Sequence, residues 1–278
     1  MKKKYLFSID LEDVRLGLKN PNDYSKRVPE NTYQFLNWLN KYNFKCTFFT
    51  VGNIAEIYPS LINEIVMEGH EIAAHSNNHI PLNKLTKNEF KDDLKRNVDN
   101  LLKCGSNQIK GFRAPIFSLT ESTKWAYEVL EELNFKYSSS VLPAKNPLYG
   151  WKEFGVTPKK VNKSIIELPM TLGRIGFLRL PYAGGVYFRA LPNWVIKNKI
   201  KNHRYKVKTS LLPLLGYFHP YDIDCNQEKF IHPGINNNKL YNKLMYYNRN
   251  KVFDRLDYII ENDFEIIRYD DFVKNNLD

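Results

Sequence analysis

The stretch SIDLEDV (residues 8–14) ends an apolar run with three carboxylates in four positions, Asp10, Glu12 and Asp13. Held away from water, acids this close repel one another and take up protons. The stretch therefore calls for solvent or a bound cation. A second stretch, HEIAAHSNNH (70–79), sets His75 and His79 four residues apart just beyond another apolar run. Two imidazoles at that spacing reach one ion from a turn of helix or a tight loop, and histidine is the commonest transition-metal ligand. Two His and one carboxylate leave coordination positions open, the ligand set of a catalytic rather than a structural site.

The elements that would position these residues alternate along the chain. Strand-like KYLFSI is followed by VPENTYQFLNWLNKYN, whose Tyr33, Leu36 and Leu39 recur at helical spacing. Then come strand KCTFFTV, helix AEIYPSLINEIVMEG, strand HEIAAH, and helix TKNEFKDDLKRNVDNLLKCG with a Thr86/Glu89 capping box. IKGFRAP reads as a fourth strand, TESTKWAYEVLEELN as a helix and FKYSSSV as a fifth strand. Residues 142–210 are irregular, with a strand at SIIELPM and a helix near LPNWVIKNKI. LLPLLGYFH reads as a buried strand, KLYNKLMYYNRNKVFDRLDYIIEN as one long helix and FEIIRY as the last strand.

Strand then helix, repeated without a break in composition, predicts an α/β fold: a distorted (β/α) barrel of about seven parallel strands. We expect one domain over 1–278, with an irregular insertion at about 142–210. Chemistry in such folds sits at the carboxyl ends of strands. Asp10 and Asp13, His75, Arg113 and His219 all fall at predicted strand ends.

The bulk numbers agree. A chain of 278 residues that is 43% hydrophobic can bury a core, and no apolar run approaches the roughly 18–20 residues that span a bilayer. The start MKKKYLFSID is cut by Asp10 before it could serve as a secretory signal. With three widely spaced cysteines and no CxxC pair, the expected location is cytoplasmic, extending to the inner face of the membrane. The net charge of +11 is mixed with acids in stretches such as KNEFKDDLKRNVDN, and its densest run is 197–208, KNKIKNHRYKVK. That run reads first as solvated surface and second as a patch facing anionic lipid or a phosphate-bearing substrate. No nucleic-acid recognition motif accompanies it.

SIDLEDV, HSNNH, FRAP and YFHPYDID occur in order at strand ends, and PYAGGVYFRALPNW lies at 181–194. Together they resemble the successive motifs of the polysaccharide deacetylase family, the NodB-homology carbohydrate esterases, in the branch found in exopolysaccharide and O-antigen gene clusters. The resemblance spans roughly residues 4–225. It implies a metal-dependent hydrolase that removes an N-acyl group, N-acetyl first, from an amino sugar in surface-polysaccharide biosynthesis. The sugar could be nucleotide-linked, lipid-linked or part of an oligosaccharide. It further implies one divalent metal (zinc first, with cobalt, nickel or iron as alternatives) held by His75, His79 and one acid. Strand alternation favours Glu12 for that acid, and a turn at the strand end would favour Asp13. Asp10 becomes the general base, Arg113 its anchor and His219 the general acid. Pro115, Gly184, Gly185 and Tyr221 become substrate contacts.

One departure stands out. Where the family often reads Tyr-Asp-Ser-Ser, with the Asp supporting the catalytic His, this chain has Tyr137-Ser138-Ser139-Ser140. Either Asp222 or Asp224 takes that role or His219 is less well supported. Two rivals use the same residues: a catalytically inactive sugar-binding relative, and a non-haem iron oxygenase, which also takes two His and a carboxylate. His203 and His232 show no evident partners in the sequence, and His70 reads as structural.

Overall fold

The apolar run KKYLFSIDL forms β1 (Lys3–Leu11), whose last seven residues are all buried, as a strand covered on both faces requires. The computed structural model describes residues 2–145, 149–207, 210–235 and 237–277. The later strands are β2 (Thr47–Thr50), β3 (Glu71–Ala74), β4 (Gly111–Phe112), β5 (Tyr137–Ser138), β6 (Lys159–Lys160), β7 (Ile166–Glu167), β8 (Leu172–Ile175), β9 (Leu178–Pro181), β10 (Lys206–Val207), β11 (Ser210–Leu211), β12 (Leu214–Phe218) and β13 (Phe264–Ile266). The helices are α1 (Val28–Lys41), α2 (Gly52–Ile57), α3 (Pro59–Met67), α4 (Lys87–Lys103), α5 (Ala126–Glu132), α6 (Gly185–Ala190), α7 (Asn193–Lys201), α8 (Lys239–Tyr246), α9 (Val252–Glu261) and α10 (Tyr269–Asn276).

Among the described residues nine strands share one sheet, in the order β12-β1-β2-β3-β4-β5-β7-β6, with β13 paired to the start of β1. Eight run parallel, one for each of the eight segments read as strands, and β6 lies antiparallel to β7. The sheet curls until the chain beyond β7 meets β12. There the Leu215 N–H donates to the Thr171 hydroxyl (2.9 Å), which donates to the Pro213 carbonyl (3.3 Å). This is the distorted α/β barrel that the alternation predicts.

Alternation along β1 sorts its side chains. Phe7 faces the helices and packs its ring against Phe35, Trp38 and Phe218. Leu6 joins Phe49, Tyr137, Met170 and Leu215 inside the curl, which α10 fills with Tyr269 and Phe272. Burying each such ring is worth roughly 1.5–3 kcal/mol, so both layers hold β1 in place. Its interior face continues through Ser8 and Asp10 toward Glu12. The ends of β1, β3, β4 and β12 lie along one edge of a parallel sheet, and each is followed by a polar residue: Glu12, His75, Arg113 and His219.

Several elements differ from the sequence reading: within the stretch read as irregular, β6, β8 to β11 and α6 form as well. The helix expected over 55–69 is two helices, α2 and α3, broken at Tyr58 (φ −129°, ψ 55°). Pro59 causes the break, because its ring pushes the preceding residue out of the helical region. The long helix expected over 239–262 also divides, at Asn248 in the left-handed region (φ 52°). Buried Arg189 donates from Nη1 to the carbonyls of Leu244, Met245 and Tyr247, so its charge competes for the acceptors a continuous helix would use. Helix α10 forms where no helix is expected. Lys208, the end of the basic run, lies outside the described residues.

Candidate metal centre and active site

His75 follows β3 directly. Its Nδ1 lies 2.8 Å from the Arg113 carbonyl, and since a carbonyl only accepts, Nδ1 carries the proton and Nε2 keeps its lone pair. Burial lowers its pKa to about 4, which keeps the ring neutral and able to ligate. The chain then turns through Ser76 and His79, both with φ near 60° (60° and 54°). The His79 N–H donates to the Ser76 hydroxyl at 2.9 Å. Helix α4 clamps this loop. The Asp93 carboxylate accepts from the Asn77 N–H (2.7 Å) and the Asn78 amide (2.8 Å), and Asn97 accepts from the His75 N–H. In the sequence, the mixed charges of α4 conceal these two buried positioning residues.

Glu12, one residue past β1, meets this loop. Its carboxylate lies 2.8 Å from His79 Nε2 and 3.3 Å from His219 Nε2. One ligand atom each from Glu12, His75 and His79 lies within 4.8 Å of the other two. Burial would raise the Glu12 pKa, but the imidazoles of His79, His219 and His75 together hold it well below the ordinary carboxylate range. Two nitrogens and one carboxylate oxygen converging from separate elements are a donor set that fits a divalent transition metal. Asp13 is not brought in. It accepts from the Arg15 N–H (3.0 Å) and pairs with the Arg15 guanidinium at 2.5 Å.

Behind Glu12, Asp10 is 3% exposed and pairs through Oδ1 with Arg113 Nη1 at 2.5 Å. Arg113 is fully buried and donates to Ser8 Oγ, Ser139 O, Ser139 Oγ and Tyr269 Oη as well. Its guanidinium lies 3.9 Å over the Phe49 ring. Ser8, Ser139 and Tyr269 carry no signal in the sequence, because they gather around Arg113 only when the sheet curls.

His219 follows β12, and its Nδ1 lies 3.1 Å from Asp222 Oδ2. Asp222 in turn pairs with buried Arg189 at 2.8 Å. Burial lowers the His219 pKa, but Glu12 and Asp222 outweigh it and push the imidazole up to about 9. Asp222 is thus the acid that lies against the His219 ring, while Ser138 donates to Ser140 (2.7 Å) beside buried Glu167. Asp224 is engaged by Arg27 and Asn31.

The expected substrate contacts fare unevenly. Tyr221 stacks on His219, ring centroids 4.6 Å apart and 8° from parallel. Pro115 is buried. Gly184 and Gly185 are buried against β12, where a Cβ on Gly184 would stand 2.3 Å from the Tyr217 nitrogen. Their close approach is to a strand, which corrects the expectation of substrate. His203 and His232 do have partners: His203 bridges Tyr182 Oη (2.7 Å) and the Leu212 carbonyl (2.8 Å), and His232 packs on Tyr221, Phe230 and Tyr246. His70 is structural, its Nδ1 accepting from the Cys46 N–H.

The fold and this edge define an α/β-barrel protein with a candidate three-ligand centre flanked by a tethered carboxylate and a tethered imidazole. Residues 22–138 match the family model described as polysaccharide deacetylase, and residues 139–274 match a domain of unknown function (DUF3473). The match to the polysaccharide deacetylase model thus covers somewhat under half of the chain. A peptidoglycan-N-acetylglucosamine deacetylase of Bacillus cereus is 32% identical over 100 residues, covering 36% of this chain and 36% of that relative. The match thus spans about a third of the relative's length. A proposed polysaccharide deacetylase from Mycobacterium smegmatis shares the fold, with TM-score 0.63 at 17% identity over 99% of this chain and 91% of its own. A family 4 carbohydrate esterase pseudoenzyme from Bacillus anthracis also shares it, with TM-score 0.54 at 11% identity over 97% of this chain and 65% of its own.

Proposed function

We propose that the protein is a metal-dependent carbohydrate N-deacylase, with N-acetyl the first candidate for the group removed and an amino sugar of surface-polysaccharide biosynthesis as substrate. The observation that carries this reading is the convergence of Glu12, His75 and His79 beside two tethered side chains, Asp10 held by Arg113 and His219 held by Asp222. Three free cysteines, two of them buried, support the cytoplasmic placement.

Glu12, His75 and His79 would hold the ion, zinc first by donor type. When bound, such an ion supplies Lewis-acid polarisation of the amide carbonyl and positive charge beside the developing oxyanion. The chain's own residues move the protons. Arg113 holds Asp10 by Oδ1, which leaves Oδ2 to accept a proton from the attacking water. As the water oxygen bonds to the amide carbon, the C–N bond breaks and the amine leaves with a proton from His219 Nε2. Asp222 orients that ring through Nδ1. Incubation with N-acetylated amino-sugar substrates followed by mass spectrometry tests the reaction by loss of the acetyl mass. Metal binding without mass loss from any such substrate would favour the inactive sugar-binding reading. Turnover in the absence of oxygen would dispose of the oxygenase.

The ligand assignment has its own test. Glu12→Ala, His75→Ala and His79→Ala should each lose most of the metal in elemental analysis, while Asp13→Ala keeps it. Full metal in Glu12→Ala with loss in Asp13→Ala would reverse the choice of carboxylate.

The pH profile tests the support of His219. Asp222 raises the pKa of the imidazolium, so Asp222→Asn should lower it. The acid form is then lost at lower pH. The alkaline limb of kcat/KM should move down by about one unit or more, and Asp224→Asn and Ser138→Asp should leave it in place. An unmoved limb in Asp222→Asn would remove His219 as the acid that limits the rate.

A further inference from the structure

The net positive charge of the chain is concentrated in one segment. Between Leu168 and Tyr221 there are nine Lys and Arg and no Asp or Glu, against a net charge of +11 for the whole chain. Among the described residues of this segment, Arg189 alone is ion-paired, and it is buried. The other described cations lie at the surface with no acid to balance them. Arg174 and Arg179 stand directly opposite each other across the β8–β9 hairpin. Like charges facing across strands destabilise a hairpin. Arg174 Nε donates to the Gly176 carbonyl at 3.2 Å, which among the described residues leaves both charges without a counter-ion.

The same segment exposes several large apolar side chains. The hairpin turns at Gly176 (φ 60°) and presents Phe177 at 92% exposure with Leu178 at 49% beside it. On α7, Trp194 is 73% exposed. It lies one helical turn before Asn198, which lines a cavity of about 290 Å³ together with Leu172 and Gly173 of the hairpin. That cavity has apolar walls at Pro169, Leu172 and Leu215 and cations at Lys199 and Arg204. An apolar tip flanked by arginines, on a hairpin whose base meets the helix that exposes Trp194, matches the layering of a membrane interface. Acyl chains accept Phe and Leu, the headgroup level suits Trp, and anionic phosphates attract Arg and Lys.

We propose that the β8–β9 hairpin and the adjoining face of α7 form a docking surface for a phospholipid bilayer bearing anionic headgroups, with Phe177 and Leu178 inserted at the acyl boundary and Arg174 and Arg179 at the phosphates. Charge complementarity together with the adjacent exposed apolar pair at the tip, Phe177 and Leu178, favours lipid over polyanions that offer no acyl layer. The surface is independent of the reaction assigned to the site.

Sedimentation of the full chain with vesicles of phosphatidylcholine, with and without phosphatidylglycerol, tests the surface. Wild type should bind the phosphatidylglycerol vesicles, more weakly as salt rises, and leave the neutral ones. Removing the tip in Phe177→Ala/Leu178→Ala should lower partitioning by about tenfold or more. Arg174→Glu/Arg179→Glu should abolish the preference for anionic lipid. Both should melt like wild type. Met67→Ser, at an exposed apolar residue on α3, should bind normally. In Phe177→Trp, emission should shift to the blue on binding. Wild-type-like partitioning of the Phe177→Ala/Leu178→Ala variant would overturn the proposal in favour of plain charge attraction. So would tighter binding to single-stranded nucleic acid than to phosphatidylglycerol vesicles, or no vesicle binding at all.

Discussion

Asp10→Asn should yield a folded, metal-binding protein that cleaves the amide roughly 10²–10⁴-fold more slowly, the usual range for removing a general base. The side-chain amide keeps the carboxylate's shape and still offers Arg113 an acceptor where Oδ1 now sits. It cannot take a proton from water at neutral pH. The effect should therefore fall on kcat, with metal content unchanged in elemental analysis. Some stability should go as well, because buried Arg113 loses its counter-charge. A variant within a few-fold of wild type would move the base elsewhere. Glu12 is then the next candidate, since its carboxylate lies on the same approach between His79 and His219. Both would be tested by following released amine and acetyl mass together.

What the sequence could and could not disclose follows from how local each constraint is. The strand ends were legible because a buried parallel strand is a largely apolar run with polar residues at its close, although β1 runs on through Ser8 and Asp10 to Leu11. Glu12, His75, Arg113 and His219 are such residues. The Thr86/Glu89 box was legible because both partners lie within one turn, and α4 begins there with both reciprocal bonds made. The choice between Glu12 and Asp13 was not. It turns on Arg15 folding back onto Asp13, and strand alternation alone is a weak guide past the last paired residue. The support of His219 was also hidden. Asp222 was one of two candidates, and what separates it from Asp224 is Arg189, a residue more than thirty positions earlier whose guanidinium is buried beside it. The same arginine draws the carbonyls of 244–247 and ends α8, so one unread contact explains both the undecided choice between Asp222 and Asp224 and a missed helix break. Tyr269 lies furthest from any local signal. It reaches Arg113 from the start of α10, at the other end of the chain.

Arg113→Met should be the most destabilising single change at this edge, costing about 3–5 kcal/mol in urea unfolding, because it leaves Asp10 as a buried charge without its partner. Arg113 lies at 0% exposure and uses its N–H groups on Asp10, Ser8, Ser139 and Tyr269. Methionine fills much of the same volume, so the loss reads charge and hydrogen bonding rather than a cavity. Arg113→Lys should fall between, since an ammonium keeps the charge but cannot match the planar fork that spans a carboxylate and a phenol. The double variant Asp10→Asn/Arg113→Met separates two roles for the arginine. If its main task is to neutralise Asp10, removing both charges should be less costly than the two single losses together, with a coupling of about 0.5–3 kcal/mol. Stability would partly return while activity stays lost. If the single losses simply add, Arg113 acts chiefly through Ser139 and Tyr269 as a tie between β4, β5 and α10. The carboxylate of Asp10 would then owe its placement to β1 alone.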